Sequence, residues 1–115
     1  MTTLSANNRK ERAIRTQKTY VGIHKDCNAG LTDTGRIVLD GWVFGLIPEE
    51  ETGEGWGYDE LMRLYDRVTA AWEPYGHLAS NLPEELRQRH QRIYGQTVDN
   101  ARKAGWDPSL EDEDE

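Results

Sequence analysis

The feature that most constrains this chain is one long apolar run, Asp33 to Pro48, with the sequence DTGRIVLDGWVFGLIP. It stands out in a chain of 115 residues of which only 36% are hydrophobic. Amphipathic faces elsewhere must bury their apolar side chains against something, and this run is the one extended apolar partner. A chain of this length builds one modest core rather than two. We therefore expect residues 19–106 to form a single domain organised around the run.

The run is interpreted as a buried helix. Asp33 or Thr34 would supply the N-cap, because their side-chain oxygens accept hydrogen bonds from first-turn N–H groups. Pro48 would end the helix, because proline disfavours helical geometry in the residue before it. With about 3.6 residues per turn, the apolar side chains then share one broad face. That face consists of Val38, Leu39, Trp42, Val43 and Leu46.

A strand is the alternative interpretation of the same run. Gly41 and Gly45 each cost a helix about 1 kcal/mol relative to alanine, and Ile, Val, Trp and Phe favour strands. Strict alternation, however, would place Asp40 on the same face as Trp42. We therefore expect residues 36–47 to be helical, with the strand left open.

Two later segments have the periodicity of amphipathic helices. In residues 58–73, the expected inner face consists of Leu61, Leu64, Tyr65, Val68 and Trp72. Residues 82–104 form the second segment, with Asn81 as its N-cap and Gly105 as the residue that ends it.

These segments predict an all-α fold. It is a small helical domain with a buried central helix, two long amphipathic helices, irregular loops and charged tails. The alternative is an α+β fold, in which Tyr20–His24 and Arg36–Leu46 form strands and the domain starts with a short N-terminal hairpin.

The net charge of −7 is unevenly distributed. Residues 1–18 contain five basic side chains and one acidic side chain, whereas residues 107–115 contain six acidic side chains. We expect a mobile basic arm at the N-terminus and a disordered acidic tail at the C-terminus. The acidic body argues against a general nucleic-acid-binding protein, because phosphate contacts need clustered cations.

Localisation is inferred from three features. Cys27 is the single cysteine, so no disulfide forms within the chain, and a reducing cytoplasm is the default compartment. No segment approaches the about 20 apolar residues that cross a bilayer. The N-terminus lacks the apolar core of a secretory signal. We expect a cytoplasmic protein with no membrane association.

One loop contains the local cluster of potentially reactive side chains, namely His24, Asp26 and Cys27. A histidine and a cysteine this close could pair as base and nucleophile. The paired spacings typical of zinc sites are absent. We therefore expect no catalytic residue, no metal and no cofactor, and keep the loop as an alternative site.

The functional hypothesis is a non-enzymatic accessory or adaptor protein. It would dock on a larger protein or enzyme complex and assist or regulate it, because Trp, Tyr and Arg are enriched at binding hot spots. The expected partner-binding residues are Arg9, Arg12, Arg15, Trp42, Trp56, Arg87, Arg89 and Arg92. The alternatives are a small enzyme or metal-linked protein that uses the 24–27 loop, and nucleic-acid binding through the basic arm.

Overall fold

A computed structural model describes residues 19–106, and the arm and the tail lie outside this range. The described residues form three α-helices: α1 (Asp33–Val43), α2 (Tyr58–Trp72) and α3 (Glu84–Lys103). Short 3-10 segments connect them, at Ile23–Lys25, Cys27–Gly30, Glu73–Tyr75 and Ala79–Asn81. No strand occurs in residues 19–106, so the all-α prediction is confirmed and the α+β alternative is wrong there. No helix within this range has the length and apolar character needed to span a membrane.

Helix α1 begins one residue earlier than the sequence suggested. Its N-cap is Thr32, whose hydroxyl oxygen accepts a hydrogen bond from the N–H of Gly35 at 2.9 Å. The same hydroxyl donates to the carboxylate of Asp26 at 2.6 Å, which fixes its position. The expected N-cap at Asp33 or Thr34 is wrong, because Thr32 already has the extended backbone and the bonded side chain that the cap position requires.

Helix α1 also ends earlier, at Val43. The N–H of Gly45 donates to the carbonyl of Trp42, and the N–H of Leu46 donates to that of Gly41. This pair of bonds is a Schellman motif, which needs a left-handed residue; Gly45, with φ of 69°, supplies it. Gly45 therefore ends the helix, and the prediction that it continues to Pro48 is wrong.

The core forms where α1 packs against both α2 and α3. Val38, Leu39 and Val43 are fully buried, which confirms the buried central helix. The other elements contribute the buried side chains Ile23, Leu64, Val68, Leu82, Ile93 and Ala101.

Helices α1 and α2 run in the same general direction. Tyr20 joins the starts of the two helices. Its backbone N–H donates to the carbonyl of Trp56, just before α2. Its hydroxyl donates to Asp26, the carboxylate that also accepts the bond from the α1 cap Thr32. Near their ends, the rings of Phe44 and Trp72 meet edge to face at 5.1 Å. The connector between the two helices must therefore return along the length of α1.

That connector, residues 44–57, is tied to the domain by several hydrogen bonds. The indole N–H of Trp42 donates to the carbonyl of Glu51 at 2.8 Å. The N–H of Ile23 donates to the carbonyl of Thr52 at 3.1 Å. The acidic, glycine-rich segment is thus held by its backbone carbonyls, and also by the side chain of Glu49, which pairs with Arg92 of α3.

Helix α3 is capped by Pro83 rather than by Asn81. Asn81 lies in the preceding 3-10 turn and its side-chain amide donates to the carbonyl of Tyr75 at 2.9 Å. The predicted end at Gly105 is confirmed. Gly105 has φ of 105°, and its N–H donates to the carbonyl of Arg102. The N–H of Trp106 donates to the carbonyl of Ala101, so the two bonds form a second Schellman motif.

Candidate partner-binding surface

Asp40 links the three helices through its side chain. Its carboxylate is half-buried and accepts a hydrogen bond from the indole N–H of Trp72 on α2, at 3.1 Å. It accepts a second from the hydroxyl of Tyr94 on α3, at 2.6 Å. Bonds to a charged acceptor are stronger than neutral ones, so this carboxylate fixes how the helices meet.

An aromatic cluster surrounds this carboxylate. The ring of His90 stacks on Tyr94 with centroids 4.5 Å apart, and its edge faces Trp72 at 6.1 Å. Burial raises the pKa of Tyr94, and the charge of Asp40 raises it further, so the hydroxyl stays a donor. Burial lowers the pKa of His90 and outweighs the opposing effect of Asp40. The imidazole is therefore neutral at pH 7.

A groove runs between α1 and α2. It consists of two adjoining depressions of about 520 and 380 Å³, which share Asp40, Tyr65 and Val68. We call it the α1–α2 groove. Its full lining is Asp33, Thr34, Arg36, Ile37, Asp40, Met62, Tyr65, Val68, Thr69, Trp72 and His77.

The α2 side of the groove carries an exposed aromatic stripe. Tyr58, Met62 and Tyr65 are spaced four and three residues apart, so they lie on one side of the helix. Tyr58 is 74% exposed and Tyr65 is 48% exposed. Tyr65 was expected on the inner face, and that expectation is wrong. The helix turns Leu64 and Val68 into the core instead, and this leaves Tyr65 at the edge of the groove.

The two predicted tryptophans do not lie on this surface. Trp42 is 9% exposed and belongs to the core. Trp56 is half-buried at the start of α2, next to the backbone of Tyr20.

The predicted arginines of α3 each bond to an acceptor within the chain. Arg87 donates to the carbonyl of Leu82, and Arg89 donates to the carbonyl of Val43, both at 3.1 Å. Arg92 makes a two-bond ion pair with Glu49, which lowers the pKa of that carboxyl. Arg87 and Arg89 are half-buried, so the described part of α3 does not present the three guanidinium groups as one free basic surface. Arg9, Arg12 and Arg15 lie outside the described residues.

In the loop of His24, Asp26 and Cys27, the carboxylate is structural. Asp26 accepts bonds from the hydroxyls of Tyr20 and Thr32 at 2.6 Å, and from the N–H of Cys27 at 2.7 Å. Burial and this carboxylate together raise the pKa of Tyr20. The side chains of His24 and Cys27 are exposed. Residues 19–106 contain no group of three or more His, Cys, Asp or Glu side chains arranged to hold a metal.

Sequence reasoning missed the groove, although Asp40 carried a signal for it. A carboxylate inside an otherwise apolar helix costs free energy unless it is paired, so it had to meet donors from other elements. Those donors are 32 and 54 residues away along the chain, and no local pattern indicates them.

Comparisons with known proteins give no relative from which a role could be transferred. No protein-family model matches the chain, and no curated protein and no solved structure matches it.

Proposed function

We propose that this chain is a non-enzymatic accessory protein that docks on a larger protein through the α1–α2 groove. The observation that carries the proposal is the exposed Tyr65, which lines an apolar depression, with the exposed Tyr58 two turns earlier on the same side of α2. Exposed tyrosines supply large, rigid contact area at low entropic cost, and they are enriched at binding hot spots.

The groove fits a partner segment that combines apolar side chains with a lysine or arginine. Ile37, Met62 and Val68 give it an apolar floor. Asp33 and Asp40 outnumber Arg36 among its charges, and the whole chain has a net charge of −7. An amphipathic basic segment would match both the floor and the charge.

Asp40 would be the polar anchor for that segment. A carboxylate has about four acceptor sites, and Trp72 and Tyr94 occupy two of them. A partner ammonium or guanidinium group would use the remaining sites without breaking either bond. Since Asp40 is half-buried, salt would screen a charge pair at this position less than one at the exposed rim.

The setting we propose is the cytoplasm. Cys27 is free and exposed, which is compatible with a reducing compartment. The alternative function at the 24–27 loop gains no specific support, because all three bonds accepted by Asp26 serve the turn and the start of α1.

The test is a comparative capture from the source cell with the full-length protein as bait, followed by mass spectrometry and affinity measurement. Tyr65→Ala should weaken the partner complex by about tenfold or more, as expected of a hot spot. Leu78→Ala is the matched control, because Leu78 is 56% exposed and lies outside the groove. Binding should also weaken as salt is raised. A partner that is retained equally by Tyr65→Ala, or weakened equally by both variants, would contradict the proposal.

The N-terminal arginines belong to the same experiment. If Arg9, Arg12 and Arg15 contact the partner, replacing all three with alanine weakens the complex. If the basic arm instead competes for the acidic groove, the same replacement strengthens it. Binding of nucleic acid that is lost in this variant would support the alternative function of the arm.

A further inference from the structure

A second concave site lies on the other side of α1 from the groove. Asp40 lines the groove and Trp42 lines this cleft, and two successive steps of about 100° place their side chains on opposite sides of the helix. The cleft has a volume of about 400 Å³, which is in the range of small-molecule sites. We call it the 28–100 cleft, after Asn28 and Asn100 on its two walls.

One wall of the cleft is a left-handed turn. Asn28 has φ of 52° and Ala29 has φ of 56°. Alanine rarely adopts this conformation, because its Cβ crowds the following carbonyl. The turn is held by the N–H of Leu31, which donates to the carbonyl of Asn28 at 3.0 Å. This geometry fixes the position of Asn28 at the cleft.

The opposite wall is a stripe along α3, in which Gln96 and Asn100 are one turn apart. The amide nitrogen of Gln96 lies 3.4 Å from the side-chain oxygen of Asn100, which is long for a hydrogen bond. Each carboxamide therefore keeps donor and acceptor capacity. Asn28 offers a third such group from the other wall. The apolar residues Ile23, Trp42 and Ile93 complete the lining.

The charges at the cleft are already engaged. Arg92 is paired with Glu49 through two bonds, of 2.7 and 3.2 Å. Asp26 accepts three bonds, from Tyr20, from Cys27 in its own loop and from the α1 cap Thr32. An anionic ligand would meet two carboxylates and one guanidinium that is not free. The polar groups left for a ligand are neutral carboxamides and the exposed imidazole of His24.

We propose that the 28–100 cleft binds a small neutral ring compound that carries an amide-type edge, with a donor next to an acceptor. Carboxamide side chains recognise such edges through paired hydrogen bonds, as Asn and Gln do with adenine. The ring would lie against the apolar lining while its edge meets Asn28, Gln96 and Asn100. This inference is independent of the partner-binding surface, because the two sites share no lining residue.

The test uses nicotinamide and nicotinate, which have the same ring and differ in carrying an amide or a carboxylate. Each is titrated into the full-length, isotopically labelled protein, and backbone amide shifts are followed by NMR. Nicotinamide should give saturable shifts around residues 28, 96 and 100, and nicotinate should not. Adenine and adenosine monophosphate are a second pair: the neutral base should bind and the anionic nucleotide should not.

Variants decide whether the shifts report this cleft. Asn100→Ala and Gln96→Ala should each raise the dissociation constant for nicotinamide by about tenfold, the effect of losing one hydrogen bond. Gln88→Ala is the matched control, since Gln88 is exposed on the same helix and bonds to Glu84. All three positions are exposed, and the same spectra report whether each variant is folded. Absence of saturable shifts, equal binding of nicotinate, or equal effects of all three variants would overturn the proposal.

Discussion

Two glycines inside helices should respond in opposite ways to the same substitution. Gly35 lies in α1 and Gly95 lies in α3. Replacing a helical glycine with alanine normally stabilises a protein by about 1 kcal/mol, since alanine has the higher helix propensity. A Cβ at Gly95 would meet no atom within 4 Å. Gly95→Ala should therefore raise the free energy of unfolding by the full amount of about 1 kcal/mol.

At Gly35 the same Cβ would lie 2.0 Å from the carbonyl oxygen of Gly30. That oxygen would have to move by about 1 Å to restore the 3.0 Å below which such contacts are essentially never seen. Overpacking of this kind costs about 1–3 kcal/mol. The shift would also disturb the Thr32 cap, which is worth about 1 kcal/mol. After the propensity gain of about 1 kcal/mol is subtracted, Gly35→Ala should lower the free energy of unfolding by about 1–3 kcal/mol.

The assay is urea and thermal unfolding of the two variants and the unmodified protein, followed by circular dichroism. In a domain of this size, 1 kcal/mol corresponds to about 4–8 °C in Tm. Gly95→Ala should raise the Tm by that amount, and Gly35→Ala should lower it by about 4–24 °C. A neutral or stabilising effect of Gly35→Ala would refute the close approach of the two backbones.

Two further predictions concern the aromatic cluster. Asp40→Ala leaves the Trp72 N–H and the Tyr94 hydroxyl without an acceptor. It should therefore lower the free energy of unfolding, measured in urea, by about 3 kcal/mol. A decrease of less than about 0.5 kcal/mol would contradict the observed bonds. The lowered pKa of His90 means that the unfolded chain binds the proton first as pH falls below about 6.5. Stability conferred by neutral His90 should therefore decrease from that pH downwards. The decrease should be smaller in His90→Gln, and equal slopes in both proteins would contradict the assignment.

The role of the glycines in the apolar run shows where sequence reasoning stops. Gly41 and Gly45 both interrupt that run, and they have different structural roles. A Cβ at Gly41 would meet the side chains of Ile47 and Leu64 at 3.1–3.2 Å, whereas Gly45 supplies the left-handed residue that ends α1. The close approach between two backbones occurs at Gly35, five residues after Gly30. The sequence gives the positions of the glycines, but only the folded structure shows which residues pack against each of them.

By itself, the sequence favoured the all-α class over the α+β alternative, and it predicted both amphipathic helices and the end of α3 at Gly105. These features depend on periodicity and turn chemistry among near neighbours, which a sequence displays directly. The tertiary structure decided which donors Asp40 meets, that Tyr65 faces outwards, and that a left-handed turn and α3 enclose a cleft. Each of these depends on contacts between residues distant in the chain. Their geometry is set only when the helices pack.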